Sequence, residues 1–146
     1  RLEASEQLVT DTISDISQVI KLIKIEAPKK IRIIVSRRWK YQLFNVFKKE
    51  IESTREIKII MQACISNTEL KEHGQDISRI IPSLLKDMSK VPEIVLDQAT
   101  ELKSLNNAKR LIEDEFKCEV EIITAEESNE TKANQASPGK PAIVIE

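Results

Sequence analysis

Ala27–Phe44, APKKIRIIVSRRWKYQLF, is the stretch on which the fold turns. Pro28 ends any helix before it, because proline pushes the preceding residue out of helical geometry. Lys30-Ile31-Arg32-Ile33-Ile34-Val35 is short and β-branched, which predicts a partly or fully buried strand. Ser36 then offers an N-cap, and Trp39, Leu43, Val46, Phe47 and Ile51 recur along one face of a helix.

Upstream of that strand, Leu2, Val9, Ile13, Ile16, Ile20 and Ile23 recur at helical spacing, with Asp11, Asp15 and Lys21 between them. The chain starts at Arg1 with no charged leader, apolar run and cleavage site, so this pattern is not a signal peptide. The expectation is a piece of a longer protein that begins inside or just before a helix.

Downstream, Ser53 and Glu56 have capping-box spacing, which predicts a helix burying Ile57, Ile60, Met61 and Cys64 and closing at Asn67. Asp76 is an N-cap candidate for a helix over Ile77–Met88, in which Pro82 must kink the rod or split it. Val91-Pro92 is a second break. Asp97 can cap one long helix to Phe116, with Leu102, Leu105, Ile112 and Phe116 inward. Cys118–Ile122 alternates with period two, as a half-exposed strand does.

Residues 125–137 form a polar segment of low hydrophobicity and predict a mobile connection. Pro138-Gly139-Lys140-Pro141 is a turn, and Ala142-Ile143-Val144-Ile145 a short apolar strand with Glu146 at its tip. Chain ends fray, so β-formers here imply an end that is tied down. It either completes a sheet or carries a terminus that something reads. The fold class is α+β: a small sheet of about three short strands packed on several helices.

A chain of 146 residues makes one ordinary domain, or a domain plus a helix of its neighbour. No run approaches the roughly 20 apolar residues that span a bilayer, so no membrane partner is expected. Cys64 and Cys118 lie far apart on different expected elements, which favours plain core residues and a reducing cytoplasm. The net charge of −1 conceals a division: residues 28–58 carry +7 and residues 101–130 carry −5. Such a chain can present a one-sided surface to a polyanion, or a solvated surface of uneven charge.

Catalytic signatures are absent. One histidine (His73) and two cysteines have no ligand spacing, so no metal site is expected. Gly74 and Gly139 are the only glycines, which excludes a phosphate-cradling loop. The consecutive Glu113, Asp114 and Glu115 spread around a helix and read as a solvated face. Arg37-Arg38-Trp39-Lys40-Tyr41 is the better lead, since cations and free N–H groups at a helix start can hold phosphates. Trp39 and Tyr41 could stack on bases. Trp39 equally fits the apolar face with Leu43 and Phe47, which leaves Arg37, Arg38 and Lys40 for phosphate.

Four stretches together resemble the C-terminal region of archaeal and eukaryotic-type leucyl-tRNA synthetases. They are Ala27–Phe44; HGQDISRIIPSLLK, His73–Lys86; EDEFKCEVEII, Glu113–Ile123; and PGKPAIVIE, Pro138–Glu146. The likeness covers nearly the whole chain, and the Lys140-Pro141-Ala142-Ile143 run is its most specific part. Lys86-Asp87-Met88-Ser89-Lys90 also looks like the lysine-methionine-serine-lysine-serine motif of class I synthetases, but it lacks the final serine and is a chance likeness.

The resemblance implies that residues 1–27 are the last helix of an anticodon-binding-type bundle. Residues 28–146 would then be a tRNA-binding domain, with 125–137 its flexible loop and 141–146 its terminal strand. It implies a partner, the long variable arm of leucine tRNA, and catalytic and editing domains upstream in the same chain. ATP and magnesium would serve that larger enzyme, with no cofactor in this segment, and the whole would be monomeric and cytoplasmic.

Lys29, Lys30, Arg37, Arg38 and Lys40 would grip phosphates. Lys140, Ile143, Val144, Ile145 and Glu146 would touch bases, through open strand-end backbone groups and the Glu146 carboxylate. A protein-interaction or docking module that adds the terminal strand to a partner's sheet is the alternative.

Overall fold

The computed structural model describes residues 2–146; Arg1 lies outside them, as does the side chain of Leu2, read above as the start of the first apolar stripe. The chain divides into two compact units, Arg1–Arg37 with Leu96–Glu146, and Arg38–Val95. The second is therefore an insertion into the first. No helix of the described residues is long and apolar enough to cross a membrane.

The first unit is built on a three-stranded sheet of β1 (Lys30–Val35), β2 (Glu119–Thr124) and β3 (Ala142–Ile145), in the order β2-β1-β3. β1 runs parallel to β2, with Arg32 opposite Glu121, and antiparallel to β3, with Arg32 opposite Val144. Strand pleating puts Ile31, Ile33 and Val35 on one face with Val120 and Ile143. Against the sheet pack α1 (Leu2–Ile23), α5 (Gln98–Asn107) and α6 (Lys109–Phe116), which bury Leu8, Ile16, Leu105 and Ile112. The α+β class and the terminal strand agree with the sequence.

The opposite face carries Lys30, Arg32 and Ile34. Ile34 and Ala142 are covered there by Ala125, Ala133 and Ala136. Residues 125–137, read as a mobile connection, thus take a defined course over the sheet. They form short 3-10 turns at Ala125–Glu127 and Thr131–Gln135, the first closed by a capping box between Thr124 and Glu127. The first helix, assigned above to a neighbouring bundle, packs on α5 and β3.

Asp97 caps α5 as its position predicts, accepting the Thr100 N–H at 2.7 Å. The single long helix expected beyond it is two, because Ala108 leaves helical geometry at φ −95° and ψ 1°. The preceding Asn106 and Asn107 are poor helix formers. Lys117, at φ 53°, ends α6 in a left-handed C-cap.

The second unit holds α2 (Arg38–Glu50), α3 (Ile57–Ile65) and α4 (Gly74–Lys86) around Leu43, Phe44, Phe47, Ile60, Cys64, Leu70, Ile77, Ile81 and Leu84. The capping box expected at Ser53 and Glu56 does not form; Glu56 is the N-cap of α3 without a side-chain bond, and its N–H is taken by Thr54. α4 starts at Gly74, not after Asp76, because a 3-10 turn at Lys71–His73 feeds directly into it. Asp76 falls in the first turn, where its charge favours the helix dipole. Pro82 does not split the helix. The carbonyl it forfeits belongs to Ser78, an exposed residue that water can serve.

Cys64 is fully buried, and burial, reinforced by Glu50, pushes its thiol up to about 11. The thiolate is the reactive form. At pH 8 in the native state, iodoacetamide is therefore expected to spare Cys64 and to label it only on unfolding, as peptide mass mapping would show.

Candidate functional site

The expected site residues fall into both units, and each group is taken in its own. In the first unit, β3 is held to β1 over its whole length. Glu146 donates its N–H to the Lys30 carbonyl at 2.9 Å, and its carbonyl accepts from Lys29 at 2.8 Å and Lys30 at 3.3 Å. The expectation of open backbone groups at the strand end is corrected at Glu146, because the ladder consumes them. Hydrogen-bonded pairs alternate in an antiparallel ladder, so Ile143 and Ile145 turn their backbone groups to the outer edge. Ile143 is buried, Val144 and Ile145 are half-buried, and Glu146 is exposed.

Arg32 organises the same end. Its guanidinium bonds Glu121 at 2.5 Å and Glu130 at 2.8 Å, and lies 3.9 Å from the Glu146 carboxylate. Lys30 lies 3.8 Å from Glu119 and 3.9 Å from Glu121. Lys30 is thus neutralised within the sheet, while Lys29 beside it is exposed. Arg32 and its carboxylates were missed as a cluster. The signal was there: the strand alternation that turns Arg32 away from Ile31 and Ile33 also turns Glu119 and Glu121 to one face.

The hydrogen bond from Arg32, aided by the charge of Lys30 against some desolvation, holds the Glu121 carboxyl below its ordinary 4.5. A depressed folded-state value contributes stability that is present above the ordinary value and lost as pH falls through the folded one. Denaturant midpoints measured from pH 6 down to pH 3 should therefore fall more steeply for the native chain than for Glu121→Gln.

At the other end of the sheet, the 137–140 turn closes with Ser137 and Lys140 exchanging backbone bonds of 3.0 and 2.8 Å. Gly139 takes φ 81°, a left-handed value that favours glycine. Lys140 is exposed, and its charge draws down the Asp15 carboxyl, which burial raises more strongly. Arg37, just past β1, is half-buried and donates to the Asn134 side chain at 3.3 Å.

In the second unit, Arg38 is exposed, but Lys40 is only 8% exposed, its ammonium 5.9 Å from the Trp39 ring centre. Lys40 is thus far less open to solvent than Arg38. Trp39 stacks on His73 at 4.2 Å and packs against the core cluster, and Tyr41 is buried. The core role for Trp39 is the one observed. Among the described residues, no group of three or more His, Cys, Asp or Glu side chains could hold a metal ion.

Side chains take some of the outward backbone groups on each sheet edge. On β2, the Val120 N–H is taken by Glu113 at 3.3 Å and the Thr124 N–H by Glu127 at 3.2 Å. On β3, the Ile143 carbonyl accepts from Lys132 at 2.6 Å. Charged groups on an edge discourage pairing with another strand.

No protein-family model matches the chain. Sequence relatives do. Leucine–tRNA ligases of Pyrococcus abyssi, Pyrococcus furiosus and Methanococcus vannielii are 30%, 32% and 33% identical to it over 145 residues. Each alignment covers 99% of this chain and 14% of the ligase. The chain thus matches archaeal leucine–tRNA ligases along almost its whole length while spanning only about 14% of theirs, which is consistent with the C-terminal region that its sequence resembles.

Proposed function

We propose that this chain is the tRNA-binding appendage of a cytoplasmic, monomeric leucine–tRNA ligase, and that it grips the long variable arm of leucine tRNA. Attachment of leucine, with ATP and magnesium, belongs to catalytic domains elsewhere in that enzyme, beside its editing domain. The observation that carries the proposal is the docking of β3 as an edge strand, which holds Ile145 and Glu146 in one place at the end of the sheet. Bases splayed from a loop are read by such fixed groups.

Lys29, Arg37 and Arg38 supply phosphate contacts; Lys30 and Lys40 join them only if RNA displaces their present neighbours. The Glu146 carboxylate accepts from base amino groups. Carboxylates around Arg32 repel phosphate, so affinity comes from the cations and selection from the tip.

The test is binding of leucine tRNA, with and without its variable arm, to the native chain and to a chain carrying Ile145→Ala and Glu146→Ala. Binding by the native chain should weaken steeply as salt rises. The double variant should lose affinity about tenfold for the intact tRNA and little for the arm-less one, as loss of one good base contact implies. Equal binding by the two chains would sink the assignment. The rival function, strand addition to a partner protein, would have to displace Glu113 and Glu127 from the β2 edge or Lys132 from the β3 edge.

A further inference from the structure

Glu101 is a charged side chain where a leucine would be unremarkable. It lies on the inward face of α5, one turn before Leu105, and is 1% exposed. Burying a carboxylate is costly unless it is hydrogen-bonded. One oxygen of Glu101 accepts the Gly139 N–H at 2.8 Å, in the turn that launches β3. Gln98, one turn earlier on the same helix, donates to the Ser36 carbonyl at 3.0 Å, just past β1, and to Glu126 at 2.8 Å, just past β2. One helix face thus holds the connections of all three strands at one end of the sheet.

β3 has only four residues, with Ala142 and Ile143 buried and Val144 and Ile145 half-buried, so its register matters for every one of them. A slip of one residue would move the strand about 3.3 Å and exchange its two faces. Ile145 and Glu146 would then occupy the wrong place at the far end. We propose that Glu101 is a positioning residue for tRNA recognition: by fixing Gly139 it sets where β3 begins, and so where Ile145 and Glu146 are presented. This rests on the tRNA-binding function proposed above.

Two variants separate positioning from stability. Glu101→Met fills the same space without burying a charge, but it leaves the Gly139 N–H without its acceptor, so the Ile33 control is needed to tell local loosening from unfolding. Glu101→Gln keeps an acceptor for the Gly139 N–H. Hydrogen exchange at the β3 amides of Val144 and Glu146 reports the pin, with the Ile33 amide of β1 as the control for unfolding.

In Glu101→Met, exchange at Val144 and Glu146 should quicken about tenfold or more while Ile33 stays protected. Affinity for leucine tRNA should fall about tenfold with an unchanged salt slope, since Glu101 meets no phosphate. Glu101→Gln should restore both to within about twofold. Unchanged β3 exchange in Glu101→Met overturns the pin, and so does exchange that quickens equally at Ile33. Quickened β3 exchange with full tRNA affinity overturns the positioning role. In that case the Ile145 and Glu146 double variant tells which proposal failed: weakened binding leaves the tRNA function standing, and intact binding removes both.

Discussion

A Phe47→Ala chain is expected to lose about 3–5 kcal/mol of stability in its helical insert. Phe47 is fully buried in the same cluster as Leu43, Phe44 and Ile60. Removing the ring forfeits its burial and leaves a cavity that α2, α3 and α4 can only partly close. The loss is large against the 5–15 kcal/mol, roughly, that holds a whole domain.

The chain's single tryptophan makes the effect directly measurable. Trp39 packs against this cluster and stacks on His73, so its fluorescence reports the insert alone. Urea titration should show the fluorescence midpoint falling sharply in Phe47→Ala. Far-ultraviolet circular dichroism follows both units. If its midpoint moves equally, the units unfold as one; if it splits into two steps, they unfold separately. An unmoved fluorescence midpoint would contradict the packing described here.

Removing residues 141–146 should have the largest functional consequence. The sheet loses β3, and with it Ile143, which is 4% exposed, and the backbone pairing of Glu146 with Lys29 and Lys30. If the tip reads bases as proposed, two lost contacts of about 1–3 kcal/mol each imply a fall in affinity on the order of 100-fold. The measurement is leucine charging by a ligase that carries this segment, with leucine tRNA and with an arm-deleted version. Truncation should raise KM for the intact tRNA and leave the arm-deleted one nearly unchanged. Equal losses on both would mean that the strand serves the fold and not the RNA.

Much of this architecture was legible in the sequence, where strong local chemistry coincides with tertiary need. β1 lies at Lys30–Val35 as its β-branched run predicts, β3 at Ala142–Ile145, and Asp97 caps α5. The break at Ala108 was hidden because apolar spacing continues through it from Leu105 to Ile112. The course of 125–137 was hidden for a different reason. Its buried residues are alanines, which register as low hydrophobicity although Ala133 and Ala136 are enclosed.

The candidate site was legible in part. Charge and composition single out Lys29, Arg37 and Arg38, which the fold leaves exposed or half-buried. They could not show that Lys40 turns inward, since its neighbour Trp39 stacks on a histidine far along the chain. Glu101 had a visible signal: it is four residues from Leu105, and so on the apolar side of its helix.

The insertion of one unit into the other carries a consequence for how the chain acquires its shape. Arg32 must find Glu121, 89 residues away, before β1 and β2 can pair, and β3 is more distant still. Closing such loops is entropically expensive and slow. The helices of Arg38–Val95 need only near neighbours. Once they are folded, that stretch no longer counts as free chain, and the search from β1 to β2 shortens accordingly. The helical insert is thus expected to form early and the sheet late, with β3 waiting on both. Interrupted refolding should find Trp39 in its native environment before the β3 amides gain protection from exchange.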